Sequence, residues 1–208
     1  MEVFNHKHAF SLIFLFFSPF LSPFPSQACH TVDQEALLQF KHQITDDYFR
    51  MLNSWTPSSD CCTAWEGIAC DTSGRGPIPH KLGKLSHLTD LILHNNNLTG
   101  SIPISFQNLF RLKKLQLSRN RLSGSLPNPV FESLASLSFL DLSENQLSGS
   151  IPSSIGNLVS LTMLDLRQNS FSGAIPNTIG KLKKLKTIHL SGNRLNSSLP
   201  KSIGGLSE

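Results

Sequence analysis

The sequence predicts a repeat solenoid of the α/β type, in which short parallel strands alternate with return segments and stack coil upon coil. Three observations carry this. The pattern L-x-x-L-x-L-x-x-N-x-L, with occasional apolar replacements, occurs five times, beginning at Leu88, Leu112, Leu137, Leu161 and Leu185. Its marker asparagines Asn96, Asn120, Asn145, Asn169 and Asn193 are spaced by 24, 25, 24 and 24 residues, and self-similarity at a fixed period in the low twenties marks a stacked coil. Within each pattern the second and third apolar positions alternate with polar ones, as in Leu115 and Leu117 or Leu140 and Leu142. That is the period of a strand with one buried face.

No single coil can bury such a face alone, so stability becomes a sum over neighbouring coils. Each asparagine falls where the chain turns out of its strand. Its amide can satisfy backbone groups at that bend and in the adjacent coil, so the five are expected to form an internal ladder. After each asparagine comes L-x-G-x-I-P or a close variant. Gly100, Gly124, Gly149 and Gly173 permit positive φ or close approach. Pro103, Pro127, Pro152, Pro176 and Pro200 suit the end of a short edge segment because they lack an N–H. A polar turn such as SSIGNLVS then leads to the next strand.

Over residues 76–208 these coils resemble the plant-specific class of extracellular leucine-rich repeats. The resemblance implies a right-handed superhelix with a concave parallel sheet and an extra short strand beside it. Residues 76–87 would be a partial repeat, followed by five full repeats from residue 88.

Residues 1–28 read as a secretory signal peptide: a weakly basic start at His6, Lys7 and His8, the apolar run AFSLIFLFFSPFL, and small residues at Ser26 and Ala28 before Cys29. A signal anchor is the alternative. Pro19 and Pro23 interrupt the run, which is short for a membrane span. Secretion makes a disulfide framework the expected use of Cys29, Cys61, Cys62 and Cys70. Four cysteines allow three pairings, and a bond between adjacent Cys61 and Cys62 would be strained. A zinc site is the rival, but the spacing lacks paired C-x-x-C units. DQEALLQFK (33–41), LNSW (52–55) and DCCTAWEGIACD (60–71) resemble the plant leucine-rich-repeat N-terminal cap, here residues 29–75. That resemblance implies Cys29–Cys61 and Cys62–Cys70. Closing the longer loop is worth roughly 3–4 kcal/mol in the chain-entropy model. Thr31 and Gln34 have the spacing of a capping box. Leu37, Phe40 and Ile44 give a short helix an apolar face. Trp55 and Trp65 are expected in the cap core, and His42 in solvent.

Two places depart from the family pattern. Arg75 is followed at once by GPIPHKLGKL, whose Gly76 and Pro79 match L-x-G-x-I-P without the strand and asparagine that should precede them. The junction reads as the site of a lost segment. At the other end KSIGGLSE closes the sequence where a strand should begin, with no C-terminal cap, membrane helix or kinase domain following. The expectation is an exposed apolar edge around Leu185, Ile188, Leu190 and Leu199.

Recognition in such a scaffold is expected at the outward positions of the strands. The third position holds Asp90, Lys114, Phe139, Met163 and Thr187. The fifth holds Ile92, Gln116, Asp141, Asp165 and His189, and the seventh His94, Ser118, Ser143, Arg167 and Ser191. Phe139, Asp141, Met163, Asp165, Arg167 and His189 make the candidate ligand surface, an apolar pair flanked by charges. Lys113, Lys114 and Arg119 form a small basic end that reads as a solvated face. The net charge of +4 is spread over single residues and short clusters such as KLKKLK. With no aromatic-interleaved basic stripe, nucleic acid is not an expected partner. Asp141 and Asp165 fall one repeat apart, but an open sheet offers no pocket to tune them for acid–base work. There is no phosphate-binding glycine loop, and no metal or cofactor is expected. Asn97-Leu98-Thr99 and Asn196-Ser197-Ser198 are N-glycosylation sequons at turn positions.

The resemblance implies a secreted or cell-surface, non-enzymatic module for a protein or peptide, in plant defence or receptor signalling. Its partners would be a ligand, a co-receptor kinase or a cell-wall-degrading enzyme. Location would be the extracellular space or cell wall, or the plasma membrane through a partner or a missing C-terminal part. The soluble polygalacturonase inhibitors and the ectodomains of receptor-like kinases both fit the repeat wording. A shortened ectodomain without independent function is the rival reading.

Overall fold

The structure is a computed structural model that describes residues 34, 38, 41, 53–59 and 76–205. The leader, the four cysteines, Thr31, Leu37, Phe40, His42, Ile44 and Trp65 lie outside the described residues.

Among the described residues nine short strands follow one another: β1 (Asp90–Ile92), β2 (Lys114–Gln116), β3 (Ser123–Gly124), β4 (Phe139–Asp141), β5 (Gln146–Ser150), β6 (Met163–Asp165), β7 (Ser170–Gly173), β8 (Thr187–His189) and β9 (Arg194–Leu195). The first strand of each pattern joins a five-stranded parallel sheet in the order β1-β2-β4-β6-β8. The L-x-G-x-I-P segments supply a second parallel sheet, β3-β5-β7-β9. The chain is therefore a leucine-rich-repeat solenoid with two parallel sheets, and its core lies between them. The three leucine positions of the strand are buried in every coil from 88 to 166. In the coil at 185, Leu185 is still buried, Ile188 and Leu190 are half-buried, and Leu199 is 66% exposed. The expected apolar edge is thus narrower than the sequence implied, because Leu185 packs back onto the preceding coil.

Each return segment opens at a proline whose carbonyl accepts the N–H three residues on: Leu82 to Pro79, Phe106 to Pro103, Val130 to Pro127, Ile155 to Pro152, Ile179 to Pro176 and Ile203 to Pro200. The fixed φ of proline is ready for such a turn, and its missing N–H is not needed there. The turns His80–Lys84, Ile104–Asn108, Ser153–Asn157, Asn177–Lys181 and Lys201–Gly205 are 3-10. Among these return segments only Asn128–Ser133 is α-helical (α1), and it sits in the 25-residue coil between Asn120 and Asn145. A helix with more residues per turn takes up the extra residue.

Two ladders tie the coils together. On the strand side, the Asn145 amide nitrogen donates to Leu142 O and Ser143 O of its own coil and to Leu117 O of the coil before, while its oxygen accepts the N–H of Leu122. Asn120, Asn169 and Asn193 repeat the arrangement against Leu93, Leu142 and Leu166 and against the N–H groups of Leu98, Leu147 and Phe171. Among the described residues Asn96 donates only to Leu93 O and His94 O of its own coil. On the return side, the hydroxyls of Ser105, Thr178 and Ser202 donate to the carbonyls of His80, Ser153 and Asn177, and Ser154 donates to the Asn128 side chain. Glycine makes this approach possible. A Cβ on Gly156 would lie 2.4 Å from Thr178 O, and one on Gly180 2.5 Å from Ser202 O.

Residues 76–85 form the second half of a coil. Pro77 bridges to Thr99, and Ile78 and Leu82 enter the core. Among the described residues β1 is paired only with β2. The described residues of the N-terminal region meet this end of the core. Trp55 is fully buried within it and Leu38 packs against it. The Lys41 Nζ donates to Trp55 O at 2.8 Å, and the Gln34 side-chain amide donates to Ser59 O at 2.8 Å and Pro57 O at 3.3 Å.

Two stability predictions follow from the ladders. Asn145→Ala strips partners from carbonyls of two coils and should lower stability by about 2–4 kcal/mol, whereas Asn96→Ala should cost about 1 kcal/mol. Gly156→Ala forces two return segments apart and should cost about 1–3 kcal/mol; Gly204→Ala, with nothing within 4 Å of the added carbon, should be close to neutral. Urea denaturation of each variant measures both contrasts, and equal losses within either pair would refute the corresponding ladder.

Candidate functional site

The register of the five-stranded sheet brings the outward positions into columns. Asp90, Lys114, Phe139, Met163 and Thr187 are successive partners, as are Ile92, Gln116, Asp141, Asp165 and His189. Phe139 and Met163 are therefore neighbours, both half-buried. Lys114 lies beside them, its Nζ 5.7 Å from the centroid of the Phe139 ring. This is within cation–π range and fixes the ring from one side.

The acidic pair behaves differently at its two positions. Asp141 Oδ1 accepts the Ser143 N–H at 3.0 Å and its hydroxyl at 2.7 Å. Asp141 stays half-buried. Asp165 Oδ1 accepts the Arg167 N–H at 3.0 Å. Its Oδ2 lies 3.2 Å from Arg167 Nε and 3.4 Å from His189 Nδ1. The expectation of an outward-presented Asp165 is corrected: its side chain is 2% exposed, under Arg167 and His189, which are each 45% exposed. The carboxylate orients two larger polar side chains, and these form the surface. Each aspartate is thus held by the residue two positions on along its own strand, and Asp165 also by His189 of the neighbouring strand. An open depression of about 310 Å³ lined by Gly83, Lys84, Ser86 and Asn108 lies toward the other end of the stack and includes neither carboxylate.

The candidate surface is a strip running from Lys114 through Phe139 and Met163 to Arg167 and His189, with Asp141 beside it. Of the seventh-position residues, Ser118 and Ser143 are buried and only Arg167 and Ser191 are exposed. Asn97 is half-buried and Asn196 exposed, at the turns after their strands.

Two features escaped the sequence reading. The residue before each marker asparagine has positive φ: Asn95, Arg119, Glu144, Gln168 and Gly192. Its five residue types share no composition signal except for Asn and Gly, which favour that conformation. It also sets the pair Arg119–Glu144, at 3.2 Å to both carboxylate oxygens, on the rim of the sheet. The return-side hydroxyls were readable as P-x-[S/T], at Ser105, Ser154, Thr178 and Ser202.

Comparison with known proteins agrees with this architecture. The model of the leucine rich repeat N-terminal domain matches residues 30–71, and leucine rich repeat models match 87–109, 111–171 and 184–206. The chain belongs to the plant leucine-rich-repeat proteins that carry this N-terminal domain. More particularly, it is related to receptor ectodomains and to polygalacturonase inhibitors. Receptor-like protein 7 of Arabidopsis thaliana is 45% identical over 112 residues, which is 44% of this chain and 11% of that protein. The polygalacturonase inhibitor of Vitis vinifera is 37% identical over 94 residues, 38% of this chain and 27% of the inhibitor. The crystal structure of the Arabidopsis receptor kinase HAESA in complex with the peptide hormone IDA and the co-receptor SERK1 superimposes with a TM-score of 0.56 at 31% identity, covering 84% of this chain and 36% of that one. The chain thus spans a small part, from about a tenth to under a third, of these curated relatives. The relatives are extracellular or cell-surface plant proteins that act as receptors and inhibitors, not as enzymes.

Proposed function

We propose that this protein is a non-enzymatic recognition module of the plant cell surface or extracellular space that binds a protein or peptide on its concave sheet. The observation that carries this reading is the strip itself. Phe139 and Met163 stand side by side on a sheet whose other face is fully committed to the core, between Lys114 and the pair Arg167–His189 seated on buried Asp165. An apolar anchor with pre-oriented polar neighbours is what a recognition hot spot requires. The HAESA complex, which holds a peptide hormone and a co-receptor, supports a peptide ligand with a co-receptor as partner. The similarity to polygalacturonase inhibitors supports a second reading in which the partner is a cell-wall-degrading enzyme. Secretion, the pairings Cys29–Cys61 and Cys62–Cys70, and glycans on Asn97 and Asn196 complete the proposal.

Phe139→Ser combined with Met163→Ser should weaken binding of a partner captured from plant apoplastic extract by about tenfold or more, with the melting curve retained. Unchanged affinity in the folded variant would remove the strip from consideration. Intact mass of the protein recovered from apoplastic fluid should correspond to a chain beginning at Cys29, fall on glycan removal, and rise on reduction by about two hydrogens per disulfide. A mass unaffected by both treatments would overturn the glycan and disulfide assignments.

A further inference from the structure

A second surface lies along the edge where each return segment rises into its strand. The backbone N–H groups of Lys113, Ser138, Thr162 and Lys186 donate to the carbonyls of Thr89, Lys113, Ser138 and Thr162 respectively. These residues are therefore one column, one residue per coil. In the same register, two residues before the first leucine of each pattern, stand Phe110, Ala135, Val159 and Lys183; one residue before it stand Arg111, Ser136, Ser160 and Lys184.

The composition of this ridge is ordered. Phe110 and Val159 are among the large apolar side chains left open to solvent, at 53% and 51% exposure, with exposed Ala135 between them. Around Phe110 are exposed Arg111 and Lys113; at the far end are exposed Lys184 and Lys186. No acidic residue occurs at these positions. The centre, made of Ala135, Ser136, Ser138, Val159, Ser160 and Thr162, carries no charge, and Ser138 and Thr162 direct their hydroxyls to the carbonyls of Lys113 and Ser138. Lys113 and Lys186 are three coils apart, about 15 Å at the usual strand spacing.

We propose that this ridge docks an extended acidic segment of a partner protein, lying along the stacking direction. Acidic side chains at its two ends meet Arg111 and Lys113 on one side and Lys184 and Lys186 on the other. Apolar side chains between them cover Phe110, Ala135 and Val159. An extended chain advances about 3.3 Å per residue, so the two acidic ends are four or five residues apart. A polyuronate fits less well. It carries a carboxylate on every sugar, and those over Ala135 and Val159 would lose water with no cation to receive them. The surface is separate from the concave strip, so a partner held here leaves Phe139 and Met163 free.

The test uses the full chain and a fluorescein-labelled peptide with two aspartates at each end of an alternating Leu-Ser-Leu-Ser centre. Fluorescence anisotropy should show saturable binding that weakens about tenfold for Lys184→Glu with Lys186→Glu, and about tenfold for Arg111→Glu with Lys113→Glu. Val159→Ser, which leaves every charge in place, should weaken it about threefold. Phe139→Ser should leave it unchanged. The proposal is overturned if a peptide of the same composition with its aspartates contiguous binds equally well, since unpatterned charge would then suffice. It is equally overturned if Val159→Ser has no effect, or if an oligogalacturonate displaces the peptide at lower concentration than the unlabelled peptide does. Circular dichroism of each variant separates lost contacts from lost fold.

Discussion

One asparagine amide per coil carries the join between neighbours. A strand of three residues gives its neighbour few backbone hydrogen bonds, and the bend that follows leaves carbonyls without strand partners. In the coil of Asn145, a single side chain caps Leu142 O and Ser143 O, reaches Leu117 O of the coil before, and accepts the N–H of Leu122. Buried polar groups are costly to leave unpaired, so this position admits few alternatives. The leucines around it supply the burial that drives stacking, but they are non-directional. The amide fixes the register in which they stack. Asn96 shows the difference: among the described residues its amide nitrogen donates within its own coil alone.

The scaffold was readable because its constraints recur. Every coil needs apolar residues at the same three strand positions and an asparagine at the bend, so the pattern survives in the sequence as a period. The columns Asp90 to Thr187 and Ile92 to His189 could be written down from that period, and they are the columns the sheet forms. What a period cannot convey is the conduct of a side chain within its column. Asp141 and Asp165 occupy equivalent positions, yet one is half-buried and the other covered. The difference comes from Arg167, two residues on where Asp141 has Ser143, and from His189 in the next coil. Burial here depends on particular neighbours, which a repeating template averages away.

Other features were hidden because their residues resembled ordinary loop composition. The hydroxyls of Ser105, Ser154, Thr178 and Ser202 sit in polar turns, where their type alone does not distinguish a ladder from a solvated surface and only their fixed place two residues after a proline marks them. The left-handed position is filled by Asn, Arg, Glu, Gln and Gly in turn, so the stack imposes it on residues with little preference for it. The acceptors and donors around it explain why. The N–H of each of the four non-glycine residues there binds the carbonyl of the seventh-position residue in the next coil: Asn95 to Ser118, Arg119 to Ser143, Glu144 to Arg167 and Gln168 to Ser191.

A scaffold so uniform leaves recognition to positions that vary between coils, and the two surfaces argued above share a border. Lys113 faces the ridge and Lys114, the next residue, faces the concave sheet over Phe139. They meet different partners because Lys113 is exposed just before β2 begins, whereas Lys114 is its first residue. The ridge has a further consequence for the stack. Its distal cations, Lys184 and Lys186, belong to the coil whose Ile188 and Leu190 are only half-buried. In a solenoid the stability of a coil is set by its own packing and its immediate neighbours. A segment held between Lys113 and Lys186 crosses three such interfaces at once, so its binding free energy adds to the weakest of them and holds the coil of His189 against the coil of Arg167. Occupation of the ridge would in this way also steady the contact of His189 with Asp165, at the far end of the concave strip.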